Sequence, residues 1–175
     1  MTQPPVFGVT GWKNSGKTTL VERLVRELTG RGFRVSTVKH AHHAFDIDHE
    51  GTDSFRHREA GATEVALVSG RRWALMHELR DEEEPSFEDV LSRLAPCDIV
   101  IIEGYKREAH PKIEVRRKEG RKGQALAPDD PAIRAIAADH ETDSGGLPLF
   151  DLNDIAAIAD FILDQCGLDR RHAAE

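Results

Sequence analysis

Cysteine is scarce. Cys97 and Cys166 are the only two in 175 residues, far apart and in no C-x-x-C pair. That argues against a disulfide framework and against a thiolate zinc site. No apolar run approaches the roughly 20 residues of a membrane span. Met1 to Val9 lacks a basic start followed by a long apolar core. A soluble, cytoplasmic protein with no membrane partner is the expectation. Positive charge is not in excess either, with 24 Lys and Arg against 31 Asp and Glu and a formal net charge of -7. This disfavours a general nucleic-acid surface but leaves room for a local basic patch. Internal repeats and low-complexity tracts are missing. A chain of this length predicts one domain with one core, over residues 1–168, ahead of a charged tail at 169–175.

What is present is concentrated near the amino end. Gly11-Trp12-Lys13-Asn14-Ser15-Gly16-Lys17-Thr18 reads G-x-x-x-x-G-K-T, and Thr19 follows. Glycines at the two ends let the backbone adopt positive φ and approach an anion. Successive N–H groups then surround phosphate oxygens. Lys17 supplies a compact charge to the terminal phosphates, and the Thr18 hydroxyl suits a magnesium shell. Val6 to Thr10 has strand character before the loop. Leu20, Val21, Leu24, Val25 and Leu28 have helical spacing after it. Strand, glycine loop and helix are the setting this motif requires, and the helix dipole favours the same anion. Lys13 follows Trp12 rather than the first glycine. It is therefore not placed as the extra lysine of deviant phosphate loops, and contact with phosphate or with solvent stays open.

Gly30 and Gly32 close the helix, and Phe33 to Val38 reads as a second strand. Strand, helix and strand make a βαβ unit, which predicts a mostly parallel sheet flanked by helices. Lys39-His40 ends that strand. Residues 41–54 then form a polar loop with His42, His43, Asp46, Asp48, His49 and Asp53. It sits where open α/β sheets place ligands. Three readings stand: a transition-metal site, an anion site using Lys39, His40, Arg56 and Arg58, or a solvated loop. Thr52 or Asp53 caps a short helix to Ala60. Glu64–Val68 and Trp73–Leu79 predict an inserted hairpin over about 64–80. Asp81–Glu84 is a solvated acidic run, and Ser86 with Asp89 begins a helix that Pro96 ends.

Asp98–Glu103 is a continuous apolar run ending in a carboxylate, as in a central parallel strand. If that strand neighbours Val6–Thr10, Glu103 can hold a magnesium-bound water or orient the attacking one, and Gly104 can offer its N–H to a terminal phosphate. Lys112–Arg116 alternates and reads as an exposed strand. Residues 116–122 form a basic, glycine-punctuated loop. Ala132–Ala138 is another buried strand ending at Asp139. That acid is either a reader of guanine N1 and N2 or a loop cap, and no N-K-x-D string accompanies it. Leu147–Phe150 predicts a short strand. Asp151 or Asn153 caps a last helix whose face is Ile155, Ile158, Ala159 and Ile162.

Taken together, GWKNSGKTTL (11–20), KHAHHAFDID (39–48), DSFRHREAGA (53–62) and DIVIIEGYK (98–106) resemble the MobB family, molybdopterin-guanine dinucleotide biosynthesis protein B. The likeness runs from Val6 to about Ile162. The histidine segment is its specific part, because many families share phosphate loops. The resemblance implies a P-loop NTPase-like fold that binds GTP with Mg2+, and a homodimer built partly through a β-ribbon. It implies an adapter that assists a MobA-like guanylyltransferase joining GMP to molybdopterin, with at most weak GTP hydrolysis. Residues 11–18 would hold phosphates and Glu103 would sit by the metal. Lys39, His40, His42, His43, Asp46, Asp48 and Asp53 fall in the signature that would contact partner or cofactor. Thr52 departs from the family, where lysine is expected before the D-S pair. Two alternatives from other classes are a small-molecule P-loop kinase, with residues 116–122 as a basic lid, and a metallochaperone GTPase using the histidine loop. A nucleotide-binding scaffold without catalysis is a third.

Overall fold

The computed structural model describes residues 3–41, 46–120 and 123–169. The chain divides into two compact units. One is built from Met1–His40 and Leu91–Glu175, the other from Ala41–Val90.

The first unit holds a six-stranded sheet. Its strands are β1 (Val6–Thr10), β2 (Val35–Lys39), β5 (Ile99–Glu103), β6 (Lys112–Arg116), β7 (Ile133–Ala138) and β8 (Leu149–Asp151), in the order β2-β5-β1-β6-β7-β8. Every neighbouring pair is parallel. From β1 the chain moves to one side for β2 and β5, then crosses to the other for β6. The carboxyl end of β1 is thus a topological switch point, where the crevice of an open α/β sheet lies.

Helix α1 (Lys17–Gly30) repeats leucine at Leu20, Leu24 and Leu28, all fully buried. It packs with Ile158, Ala159 and Ile162 of α4 (Ile155–Gln165) over Phe7, Val9, Ile99, Ile101, Ile113, Val115, Ala135 and Ala137. Alternate residues along each strand supply that row, as the two-residue period requires. Arg31, buried at the end of α1, donates to Glu27 and Asp160 and so ties α1 to α4. No helix among the described residues is long and apolar enough to cross a membrane.

Two expectations need correction. Lys112–Arg116 is not exposed, because β6 lies between β1 and β7. Its Lys112 and Glu114 are buried and find partners in the chain at 126–130. Lys112, 0% exposed, donates to Asp130 and to Lys106 O. Glu114, 1% exposed, accepts from Leu126 N, Ala127 N and Arg116. Alternation marks two environments, and here the polar one is a loop rather than water. The last helix is capped by Asp154, which accepts from Ala157 N. Asp151 instead accepts from Asn153 N, and Asn153 accepts from Arg23 of α1.

The second unit contains α2 (Asp53–Glu59) and a hairpin of β3 (Glu64–Val68) and β4 (Trp73–His77), paired antiparallel. Thr52 caps α2 by accepting from Phe55 N. Ser86 and Asp89 exchange hydrogen bonds at the start of α3 (Phe87–Ser92), as their spacing predicts. On the hairpin, Val65 opposite Met76 makes a buried face. Val68, Trp73 and Leu75 make the other face and are 79%, 71% and 48% exposed.

Candidate nucleotide-binding site

The loop between β1 and α1 has the backbone of an anion cradle. Gly11, Asn14 and Gly16 have φ of 146°, 65° and 91°. A Cβ on Gly11 would lie 2.7 Å from both Ser15 Oγ and Val115 O, so no side chain fits there. Gly16 occupies the N-cap of α1 with no side-chain cap, and no acid lies in the first turn. The N–H groups and positive end of that helix are left facing the cleft. Ser15 is buried, and its Oγ has no hydrogen-bond partner among the described residues. The cleft is about 330 Å³, lined by Asn14, Gly16, Lys17, Thr18, Thr19 and Arg117.

Lys17 Nζ donates to Trp12 O at 2.7 Å, inside the loop. Burial lowers its pKa first, then Lys106; Glu103 opposes this, and Lys39 adds to the lowering. Lys17 is therefore a crowded cation whose environment suits a polyanion.

Sheet register brings the acid in. Glu103 pairs with Val9 on one side and Lys39 on the other. Its Oε1 accepts from Thr18 Oγ1 at 2.8 Å and lies 3.3 Å from Lys39 Nζ. A hydroxyl and a carboxylate in contact beside a phosphate cradle are the hard oxygen donors that magnesium takes. Gly104 and Tyr105 have φ of 100° and 47°. The Gly104 N–H donates to Val9 O at 3.4 Å, and the Tyr105 ring packs on His40 with centroids 4.5 Å apart. Thus Lys39, His40, Glu103, Gly104 and Tyr105 form one group at the ends of β2 and β5.

Trp12 faces elsewhere. Its Nε1 donates to Gln124 O, its ring leaves no room for a Cβ on Gly123, and Lys106 Nζ lies 4.8 Å from the ring centroid. It fastens the 123–124 segment to the loop. Lys13 is exposed. Asp139 follows β7, and its Oδ1 accepts from Lys118 N at 2.8 Å and pairs with His140 Nδ1 at 2.9 Å. The His140 contact, then the Lys118 N–H, hold its pKa below the ordinary carboxylate range.

The described remainder of the signature lies in the second unit, where Arg58 gathers its acids. Arg58 donates to both oxygens of Asp46 and to Glu78, and its Nε is 3.6 Å from Asp48. Asp48 accepts from His49 N, Thr52 Oγ1 and Ser54 Oγ. These bonds lower the pKa of both acids: for Asp46 the Asp48 N–H leads and Arg58 follows, and for Asp48 the Thr52 hydroxyl leads. Asp53 is exposed, with Arg56 at 3.9 Å. His42 and His43 lie outside the described residues. Among the described residues, no three His, Cys, Asp or Glu converge as a metal set.

Sequence patterns did not single out Lys106 or Arg117. Lys106 ends the E-G-Y-K string, and Arg117 sits inside the basic run. Only the fold shows which member of that run faces the loop.

Comparison with known proteins follows the same lines. The family model for molybdopterin guanine dinucleotide synthesis protein B, MobB, matches residues 6–139. The chain is 41% identical over 163 residues to the molybdopterin-guanine dinucleotide biosynthesis adapter protein of Haemophilus influenzae, covering 91% of this chain and 88% of that protein. It is 37% identical over 166 residues to the protein of the same name from Escherichia coli, covering 93% and 94%. The crystal structure of Bacillus subtilis MobB matches with a TM-score of 0.73 at 26% identity, covering 95% of this chain and 99% of that one. With its phosphate-type loop, its parallel sheet and these relatives along most of its length, the chain belongs to the MobB family.

Proposed function

We propose that this chain is a GTP-binding adapter in the biosynthesis of molybdopterin guanine dinucleotide. In this role it assists a MobA-like guanylyltransferase that joins GMP to molybdopterin. The observation that carries the reading is the Thr18–Glu103 contact at the mouth of an uncapped helix. Residues 11–19 would hold the phosphates, with Lys17 exchanging the Trp12 carbonyl for phosphate oxygen. Thr18 and Glu103 would hold Mg2+, which when bound supplies charge neutralisation on the phosphate chain. Glu103 can also orient a water towards the terminal phosphorus. It is already engaged by Thr18 and Lys39, which fits slow hydrolysis to GDP and phosphate.

Lys39 and His40 stand beside Glu103 and are suited to report the state of the phosphate to a partner. The exposed apolar face of the β3–β4 hairpin supports a homodimer, since a lone two-stranded ribbon is marginal in water. Tagged chain mixed with the guanylyltransferase of the same organism tests the adapter role. Retention that increases with GTP and Mg2+ is expected, and an enzyme that elutes alone in every nucleotide state would refute it.

A further inference from the structure

Arg116, the last residue of β6, and Arg117, the residue after it, have different fates. Arg116 is held through both terminal nitrogens: its Nη1 donates to Thr142 Oγ1 and Asp143 O, and its Nη2 to Glu114, while its buried Nε has no partner among the described residues. Arg117 is not. Among the described residues its one ion pair is with Asp139, with Nε to Oδ2 at 3.7 Å, beyond hydrogen-bond length. Its side chain is 47% exposed and lines the cleft with Asn14, Gly16, Lys17, Thr18 and Thr19. It lies against Gly16 itself: a Cβ there would be 3.2 Å from Arg117 Cδ, 3.5 Å from Nε and 3.8 Å from Cζ. Gly16 therefore serves the loop twice, by its positive φ and by admitting this side chain.

From this we infer that Arg117 is a phosphate ligand of the bound nucleotide, supplied by the chain itself, and that Asp139 is its resting partner. The inference rests on the loop being the nucleotide site. A planar fork of N–H donors suits phosphate oxygens, and a loose ion pair is easily exchanged for a phosphate contact. Asp139 is already committed to anchoring the segment. It accepts from Lys118 N, which fixes the residue next to Arg117, and it balances the guanidinium until an anion arrives. In this role Asp139 is a positioning residue and does not read guanine.

The test is calorimetric titration of the full chain with GDP, GTP and ATP, each with Mg2+. Wild type is compared with Arg117→Ala, Arg117→Lys, Asp139→Asn and Lys17→Ala, and folding is checked by thermal melts. Arg117→Ala is expected to weaken GTP and GDP by at least about 10-fold, the scale of one charge-assisted hydrogen bond. Arg117→Lys recovers part of the loss, because a point charge replaces the fork. Asp139→Asn keeps an acceptor for Lys118 N but releases Arg117, so GTP and GDP bind a few-fold more tightly. Arg117→Ala with unchanged affinity, beside a Lys17→Ala that has lost binding, overturns the inference and leaves the site standing. Loss in neither variant removes the site as well. If Arg117→Ala does not fold, Arg117→Lys decides: affinity equal to wild type overturns the role of the fork. Asp139→Asn that loses GTP while keeping ATP shows a base reader and overturns the pairing.

Discussion

Replacing Lys17 by alanine should separate binding from folding. In the free protein Lys17 makes one hydrogen bond, to Trp12 O. Losing such a bond from a charged donor costs about 1.5–3 kcal/mol. Two effects act the other way: the ammonium loses hydration through burial, and it is repelled by Lys106 and Lys39, only partly offset by Glu103. These terms offset the lost bond, so the net cost should stay within about 1 kcal/mol and the melting temperature should move by no more than about 3 °C for a chain of this size. With nucleotide bound, the same ammonium is placed to make two charge-assisted contacts with phosphate oxygens. At about 1.5–3 kcal/mol each, their loss is about 3–6 kcal/mol, or roughly 10²–10⁴ in affinity. Paired melts and calorimetry measure both quantities. A variant that unfolds would show that Lys17 is structural, and a variant that binds GTP as wild type does would show that the loop holds no phosphate.

Gly11→Ala meets a backbone carbonyl that cannot swing away, since its Cβ would lie 2.7 Å from Val115 O at a φ of 146°. A loss of about 1–3 kcal/mol and a melting temperature lower by roughly 2–12 °C are expected, and a melt equal to wild type would refute the geometry. Arg31→Met removes the tie between α1 and α4. Its partners Glu27 and Asp160 are about one-third exposed, so the cost should be about 2 kcal/mol by denaturant titration, below the 3–5 of a wholly buried pair. In the hairpin, hydrogen bonds donated by the His77 ring to Glu64 and then to Glu82 raise its pKa. The charged form is the stabilised one. Its contribution is complete below the ordinary histidine value and fades as pH rises through the raised one. The melting advantage of wild type over His77→Asn should therefore shrink between pH 6 and pH 9, and an advantage that grows with pH would contradict the pairing.

Much of the architecture was legible because local and global signals agree. The glycine loop, the leucine stripe of α1 and the apolar run Ile99–Ile102 each have one physical reading, and together they require a parallel sheet. At Lys112–Arg116 the sequence alone does not separate an exposed strand from a buried one, because alternation records a change of environment without naming it. The partners of Lys112 and Glu114 come from a loop with no pattern of its own. The α4 cap was missed by one residue because Asp151, Asn153 and Asp154 all have capping chemistry, and Arg23 in a distant helix decides among them. In the site, the loop and the placement of Glu103 could be read from residue order. Arg117 could not, since Arg116 and Lys118 carry the same charge and only the direction of the strand end separates them. Asp46 and Asp48 drew attention as ligands, yet Arg58, Thr52 and Ser54 occupy them.

The most direct test of the central claim is calorimetric titration of the full chain with GTP, and separately with ATP, in the presence of Mg2+. The account predicts one GTP per chain, bound more tightly than ATP. Absence of heat with both nucleotides, or a preference for ATP, would contradict it.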